Sequence, residues 1–103
     1  MVIRAAIHQI DLGNNDRGRE QRGRRYGIVL SEIDWSMVTV VPTSTNAQPS
    51  RFRPEIELMG KTTRLLVDQI RSLDTKYVHD LVGYLSQEEM GRLERATRLY
   101  LRL

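Results

Sequence analysis

Apolar and polar positions change period several times along the chain, and each change predicts an element. Ala5 to Leu12 (AAIHQIDL) alternates loosely, with Ile7 and Ile10 apolar, and predicts a first strand. His8 inside it is expected to be packed rather than to ligate. Gly13-Asn14-Asn15-Asp16 is turn chemistry and opens a long loop that runs to about Arg24. Arg25 to Ser31, with the unbroken run Gly27-Ile28-Val29-Leu30, predicts a buried second strand. Glu32-Ile33-Asp34 makes a short connection. Ser36 to Val41 (SMVTVV) is β-branched and predicts a third strand, which Pro42 is expected to end because proline has no N–H to donate.

The second half reads in the same way. Ala47 to Pro54 is a loop with two prolines, and Glu55 to Leu58 is a short strand. Gly60 to Thr63 is expected to turn the chain and Arg64 to Arg71 to form another strand. Leu73 to Lys76 suggests a helical turn, followed by a strand near Leu81 to Leu85. Ser86 and Glu89 form a capping box, with Leu85 and Met90 placed as its hydrophobic staple. Beyond it Met90, Leu93, Thr97 and Tyr100 keep helical spacing, with Glu88, Arg92, Arg95 and Arg98 largely opposite. Five or six short strands and one terminal helix predict a mostly β (α+β), barrel-like fold in a single domain, residues 1–103.

Composition adds little until charge is mapped. The 40% hydrophobic and 28% charged residues are ordinary for a globular domain. With no cysteine there are no disulfides or thiolate metal sites. No run reaches membrane-spanning length and Met1-Val2-Ile3-Arg4 lacks a signal-peptide plan, so a cytoplasmic protein with no membrane partner is expected. The formal charge of +3 is uneven, however. Residues 17–25 hold five arginines against Glu20, a net of +4, which leaves −1 for all the rest. A local positive field on a near-neutral body suits a polyanion, although a solvated basic loop has the same composition.

Within that field Arg25 stands out, because it lies where loop meets strand. Gly23 and Gly27 flank it and let other backbone or a ligand come close. A planar, permanently charged fork at the mouth of a rigid element is suited to phosphate. Thr43-Ser44-Thr45-Asn46 follows the third strand, and its hydroxyls can cap a turn or bond a phosphate. Phe52, between Arg51 and Arg53, fits core packing and base stacking equally well. No metal-ligand spacing, P-loop, Rossmann fingerprint or G-x-S-x-G motif is present.

Five blocks in order carry a family likeness: Glu20-Gln21-x-Gly23-x-Arg25, Val40-Val41-Pro42 with its hydroxyl residues, Asp68-Gln69-Ile70-Arg71-Ser72-Leu73-Asp74, Gly83-Tyr84-Leu85-Ser86, and the terminal helix. Together they resemble the MazF/PemK/Kid toxins. The resemblance implies an SH3-like small barrel of the MazF/CcdB type that forms a homodimer. It implies a type II toxin that cuts single-stranded RNA (mRNA, rRNA or tRNA) sequence-selectively, without metal or other cofactor. The cut would be made by the ribose 2′-OH, leaving 2′,3′-cyclic phosphate and 5′-OH ends. It also implies a cognate antitoxin, for which a disordered, acidic tail is the expected match to the basic loop. The family arginine falls on Arg25 and the family threonine on Ser44, with Thr45 beside it. Glu20 is the nearest carboxylate, either a base or a partner for neighbouring arginines. Arg19, Gln21, Arg22, Arg24, Asn46, Phe52, Asp68 and Gln69 are the expected RNA contacts. Tyr26 replaces the usual proline, and the usual first-strand tryptophan is absent near His8. Leu66 stands where Kid-like members carry a second arginine, which favours chemistry centred on Arg25. The alternatives are a CcdB-like gyrase-binding toxin and a non-catalytic single-strand binder.

Overall fold

A computed structural model describes residues 3–13, 24–32 and 36–103. The elements are β1 (Ala6–Asp11), β2 (Arg24–Glu32), β3 (Met37–Ser44), β4 (Glu55–Leu58), β5 (Lys61–Leu65), β6 (Arg71–Asp74), β7 (Val78–Tyr84) and α1 (Gln87–Leu101), with 3₁₀ turns at Val67–Gln69 and Thr75–Tyr77. All strand pairs are antiparallel, in the order β4-β5-β3-β2-β1-β7, and β6 also pairs with β3. The sheet curls into a half-barrel with the helix against it.

Both faces of the sheet are covered, which explains the unbroken apolar runs. Ile7, Ile28, Val41, Ile56, Leu65 and Val67 pack with Leu85, Met90, Leu93 and Ala96, the last three from α1. Ile10, Leu12, Val38, Val40 and Leu73 form a second cluster. Neighbouring residues such as Val40 and Val41 therefore point into different cores, as a period of two requires. The helix begins as its sequence demands. Ser86 N–H donates to Glu89 Oε1 at 2.8 Å, and Glu89 N–H donates to Ser86 Oγ at 3.1 Å. Leu85 and Met90 are both buried beside this box.

Several expectations need correcting. β3 does not end at Pro42; it continues to Ser44. Pro42 is tolerated because it stands where β3 changes partner. Val40 pairs with Arg71 of β6, and Thr43 pairs with Leu65 of β5. In extended backbone the N–H and C=O of one residue face the same side. The Pro42 carbonyl accepts from Leu66 N–H at 2.8 Å, so the missing N–H faces the changeover, where no ladder bond is needed. The expected strand from Arg64 to Arg71 is divided for the same reason. Six steps from Leu65 to Arg71 lie against three from Thr43 to Val40. Three extra residues, Val67–Gln69, therefore leave the ladder as a 3₁₀ turn. The reversal expected at Gly60 to Thr63 is a two-residue turn at Met59-Gly60, since Leu58 already pairs with Lys61. Of the expected helical turn, Leu73 and Asp74 close β6, and the turn itself starts at Thr75. β7 starts at Val78 rather than near Leu81.

Gly27 does admit a close neighbour, which is Ile10 rather than a ligand. A Cβ added to Gly27 would lie 2.5 Å from Ile10 Cδ1 and 3.2 Å from Cγ1. Ile10 is itself fully buried and has little room to turn. Gly27→Ala is expected to destabilise the fold by about 1–3 kcal/mol through overpacking. Urea unfolding would show this as a lower midpoint at unchanged slope.

Candidate functional site

The start of β2, the end of β3 and the β4–β5 hairpin surround one open cavity of about 310 Å³. β2 contributes Arg24, Arg25 and Tyr26; the end of β3 contributes Thr43, Ser44 and Thr45; the β4–β5 hairpin contributes Leu58, Met59, Lys61 and Thr63. Each is held by backbone bonding. Arg24 and Arg25 pair with Asp11 and Ile10 of β1, so their backbone is held while their side chains stay exposed. Thr43 is 3% exposed, and its Oγ1 donates to the Tyr26 carbonyl at 2.8 Å. This bond ties the end of β3 to the start of β2. The β2–β3 pairing ends at Gly27 and Pro42, and just beyond it Arg25, Tyr26, Thr43 and Ser44 all border the cavity.

The chemistry of the lining is one-sided. Arg24, Arg25 and Lys61 contribute three cations, and no carboxylate appears among the described residues that line the cavity. An anion entering it meets an attractive field whose donors are already in place. Ser44 Oγ accepts from Asn46 N–H at 3.1 Å, which fixes the oxygen and leaves the hydroxyl proton to donate elsewhere. Thr45 is exposed at the rim. A smaller concavity, about 260 Å³ and lined by Gln9, Arg24, Arg25 and Tyr26, adjoins the first, so Arg25 borders both.

The other expected site residues are distributed elsewhere. Arg19, Glu20, Gln21 and Arg22 lie outside the described residues. Asn46 contributes its backbone to the Ser44 turn but does not line the cavity. Phe52 is partly buried against the terminal helix. Its ring meets Tyr100 edge-on at 5.3 Å and 70°, with the Arg51 guanidinium 5.5 Å from its centroid. Asp68 and Gln69 belong to the 3₁₀ turn, also away from the cavity. His8 is packed as expected; its Nδ1 lies 2.9 Å from the His79 carbonyl, to which it donates. Sequence reasoning missed the hairpin contributors Leu58, Met59, Lys61 and Thr63. Their signal was the Met59-Gly60 dipeptide, the length of a tight hairpin loop between two strand-like runs.

Asp68 instead anchors the loop that follows the hydroxyl turn. Arg53 Nε and Nη2 donate to its two carboxylate oxygens at 3.0 and 2.8 Å. Arg53 Nη1 also donates to the Gln48 carbonyl at 3.1 Å. Next to it, Arg64 donates to the Ala47 carbonyl at 2.8 Å and to Glu55 Oε1 at 2.7 Å. Two arginines thus grip consecutive carbonyls just beyond Asn46. Hydrogen bonds from Arg53 hold the Asp68 carboxyl below its usual range, against an opposing effect of burial. The same pairing raises Arg53.

The sequence profile of PemK-like, MazF-like toxins of type II toxin–antitoxin systems matches residues 3–101. The chain is 56% identical over 106 residues to Rv3098A of Mycobacterium tuberculosis, named as a candidate toxin, with both chains covered in full. It is 31% identical over 119 residues to the endoribonuclease MazF9 of the same organism, covering all of this chain and 98% of the relative. Among solved structures, MazF from Deinococcus radiodurans superposes with a TM-score of 0.83 at 19% identity, covering 97% of this chain and 96% of that one. A mycobacterial endoribonuclease in complex with its cognate antitoxin gives 0.82 at 18% identity, covering 100% and 97%. At such identities the structural likeness speaks for the fold alone.

The Arg53–Asp68 clamp predicts a pH dependence. The native carboxyl titrates below its unfolded value, about 3.9. The clamp therefore stabilises fully above that value, and its contribution is lost as pH falls through the native pKa. Asp68→Asn is expected to melt lower than wild type at neutral pH. Below about pH 4 the two melting curves should converge. Curves that stay parallel across this range would show that the ion pair contributes nothing.

Proposed function

Because the chain belongs to the PemK-like, MazF-like family of type II toxins, we propose that it is a sequence-selective endoribonuclease acting on single-stranded RNA through the ribose 2′-OH, without metal or other cofactor. The observation that carries this reading is the cationic cavity that Arg25 and Ser44 both line. The 2′-oxygen attacks the adjacent phosphorus and loses its proton. The bond from phosphorus to the 5′-oxygen breaks, and that oxygen gains a proton. The products are a 2′,3′-cyclic phosphate and a 5′-OH end. Arg25 stabilises the charge that builds on the phosphorane, a role suited to a planar cationic fork. Ser44 and Thr45 hold the non-bridging oxygens or relay a proton. Glu20, in the same motif as Arg25, is the candidate base. Arg19, Arg22 and Arg24 supply positive charge, and Gln21 hydrogen-bonding groups, for flanking phosphates.

The partners follow from charge and exposed apolar surface. A disordered acidic antitoxin tail is attracted by the same arginines and competes with RNA for them. A second copy of the chain is the proposed cover for β7, a sheet edge that leaves Leu81, Val82 and Tyr84 exposed. No described helix is long and apolar enough to cross a membrane.

Incubation with a long RNA in EDTA, followed by mapping of the ends, tests the reading. Cuts at a recurring short sequence with 5′-OH ends are expected. A CcdB-like toxin or a passive RNA binder would leave the RNA intact. Arg25→Ala should lose about 100-fold or more in rate, the scale for removing a preorganised charge stabiliser. Ser44→Ala should lose less, because Thr45 remains, and the double variant should approach Arg25→Ala. Near-normal cleavage by folded Arg25→Ala protein would reject the assignment.

Binding should be electrostatic as well. Affinity for uncleavable RNA is expected to fall steeply with salt as bound counterions are released. The antitoxin tail should displace that RNA competitively. Charge reversal at Arg22 and Arg24 should weaken both ligands. Simultaneous occupancy of one toxin site by tail and RNA would contradict the shared path.

A further inference from the structure

The tip of the β4–β5 hairpin is built against local preference. Leu58 pairs with Lys61, so only Met59 and Gly60 form the loop. Both have positive φ, 52° and 79°. Two left-handed residues in a two-residue loop define the type I′ hairpin turn, which favours Asn-Gly. Glycine at the second position fits. Methionine at the first does not, because its Cβ crowds the backbone in that region. The side chain also gains no burial in exchange, being 66% exposed.

Local stability therefore does not explain this methionine, but its position does. Met59 and Leu58 form an apolar lip on the cavity that Arg24, Arg25, Ser44 and Thr45 border with charge and hydroxyls. A cavity that is cationic on one wall and apolar at one lip matches a nucleotide, whose phosphate is anionic and whose base is a flat π-system. A thioether is polarizable and unbranched, so it can lie on an aromatic face without a fixed geometry. Strained residues persist at ligand clamps when the side chain is used there.

We propose that Met59 is a base-holding residue: its exposed thioether packs against the nucleobase next to the phosphate held by Arg25 and Ser44. This rests on the nuclease reading for the identity of that phosphate. Met59 touches substrate away from the reacting atoms, so it acts on binding in the ground and transition states alike. It adds an apolar contact to a site whose other donors recognise only phosphate.

The test uses variants that relieve the backbone. Met59→Gly and Met59→Asn both suit the left-handed position, so loss of folding cannot account for their phenotype. Both are expected to melt higher, by about 4–8 °C for relief of the left-handed penalty. Both should raise KM for RNA about tenfold, the scale of one base contact, with kcat unchanged. Met59→Leu, which keeps an apolar side chain and the strain, should keep the wild-type KM and melting temperature. An oligonucleotide with 2′-deoxyribose at the cut position, followed by fluorescence anisotropy, should show the same tenfold change in Kd. A Met59→Gly protein that melts higher yet binds and cleaves as wild type would overturn the proposal. So would loss of affinity for an acidic antitoxin peptide with RNA binding unchanged, since the lip would then serve a peptide. If wild type binds the oligonucleotide but cuts no RNA, the nuclease reading fails while the Kd comparison still decides the role of Met59. If it binds no single-stranded RNA, both fail.

Discussion

Pro42 is the residue on which β3 changes partner, and much of the molecule follows from that change. Its carbonyl accepts from Leu66, and its missing N–H faces the gap between β5 and β6. One edge of β3 can then carry two strands separated by a three-residue 3₁₀ turn. A residue with an N–H at this position would need an acceptor in a buried place, because Pro42 and its neighbours Val41 and Thr43 are all buried. The change also lets β3 run two residues beyond the proline. Those residues carry the hydroxyls to the cavity. Thr43 is tied to Tyr26, and Ser44 lines the cavity together with Arg25.

The site thus combines rigid and adjustable parts. Arg25 pairs with Ile10 of β1 and Ser44 with Arg64 of β5, so a ladder holds each backbone on one side. Just beyond Asn46, Arg53 and Arg64 grip the Gln48 and Ala47 carbonyls and are themselves oriented by Asp68 and Glu55. Bidentate arginine–carboxylate geometry suits this work because the fork fixes direction as well as distance. Opposite stands the hairpin tip, with a thioether in solvent and a strained backbone beneath it. Phosphate binding needs fixed donors, whereas a base face tolerates an adaptable neighbour. The phosphate and base contacts proposed for this cavity fall on its rigid and its adjustable side respectively.

Family membership and local chemistry bear on different questions. The match over residues 3–101 establishes a type II toxin family. At the position where Kid-like members carry a second arginine this chain has Leu66. Leu66 in that position is fully buried, and its backbone N–H is given to Pro42. The position therefore serves the partner change of β3. The cations that line the cavity come from β2 and β5 instead.

The sequence alone determined the parts whose cause is local. The capping box at Ser86, the apolar run of β2 and the alternation of β1 predict their elements because period and capping are set by near neighbours. Arg25 stood out as a candidate for the same reason: it lies at a junction of charge and strand, and the structure puts it on the cavity. Only the tertiary structure decided what depends on distant partners. Whether proline ends a strand depends on which side its missing N–H faces, and that is a property of the pairing. Asp68 reads as part of a motif, but a loop arginine fifteen residues earlier takes both its oxygens. For Lys61 and Met59 the sequence signals only a hairpin and not a site, because a cavity wall is formed by the curl of the sheet and not by any one strand. Side-chain type and local period are written along the chain, whereas register, facing and enclosure arise only when residues far apart are brought together.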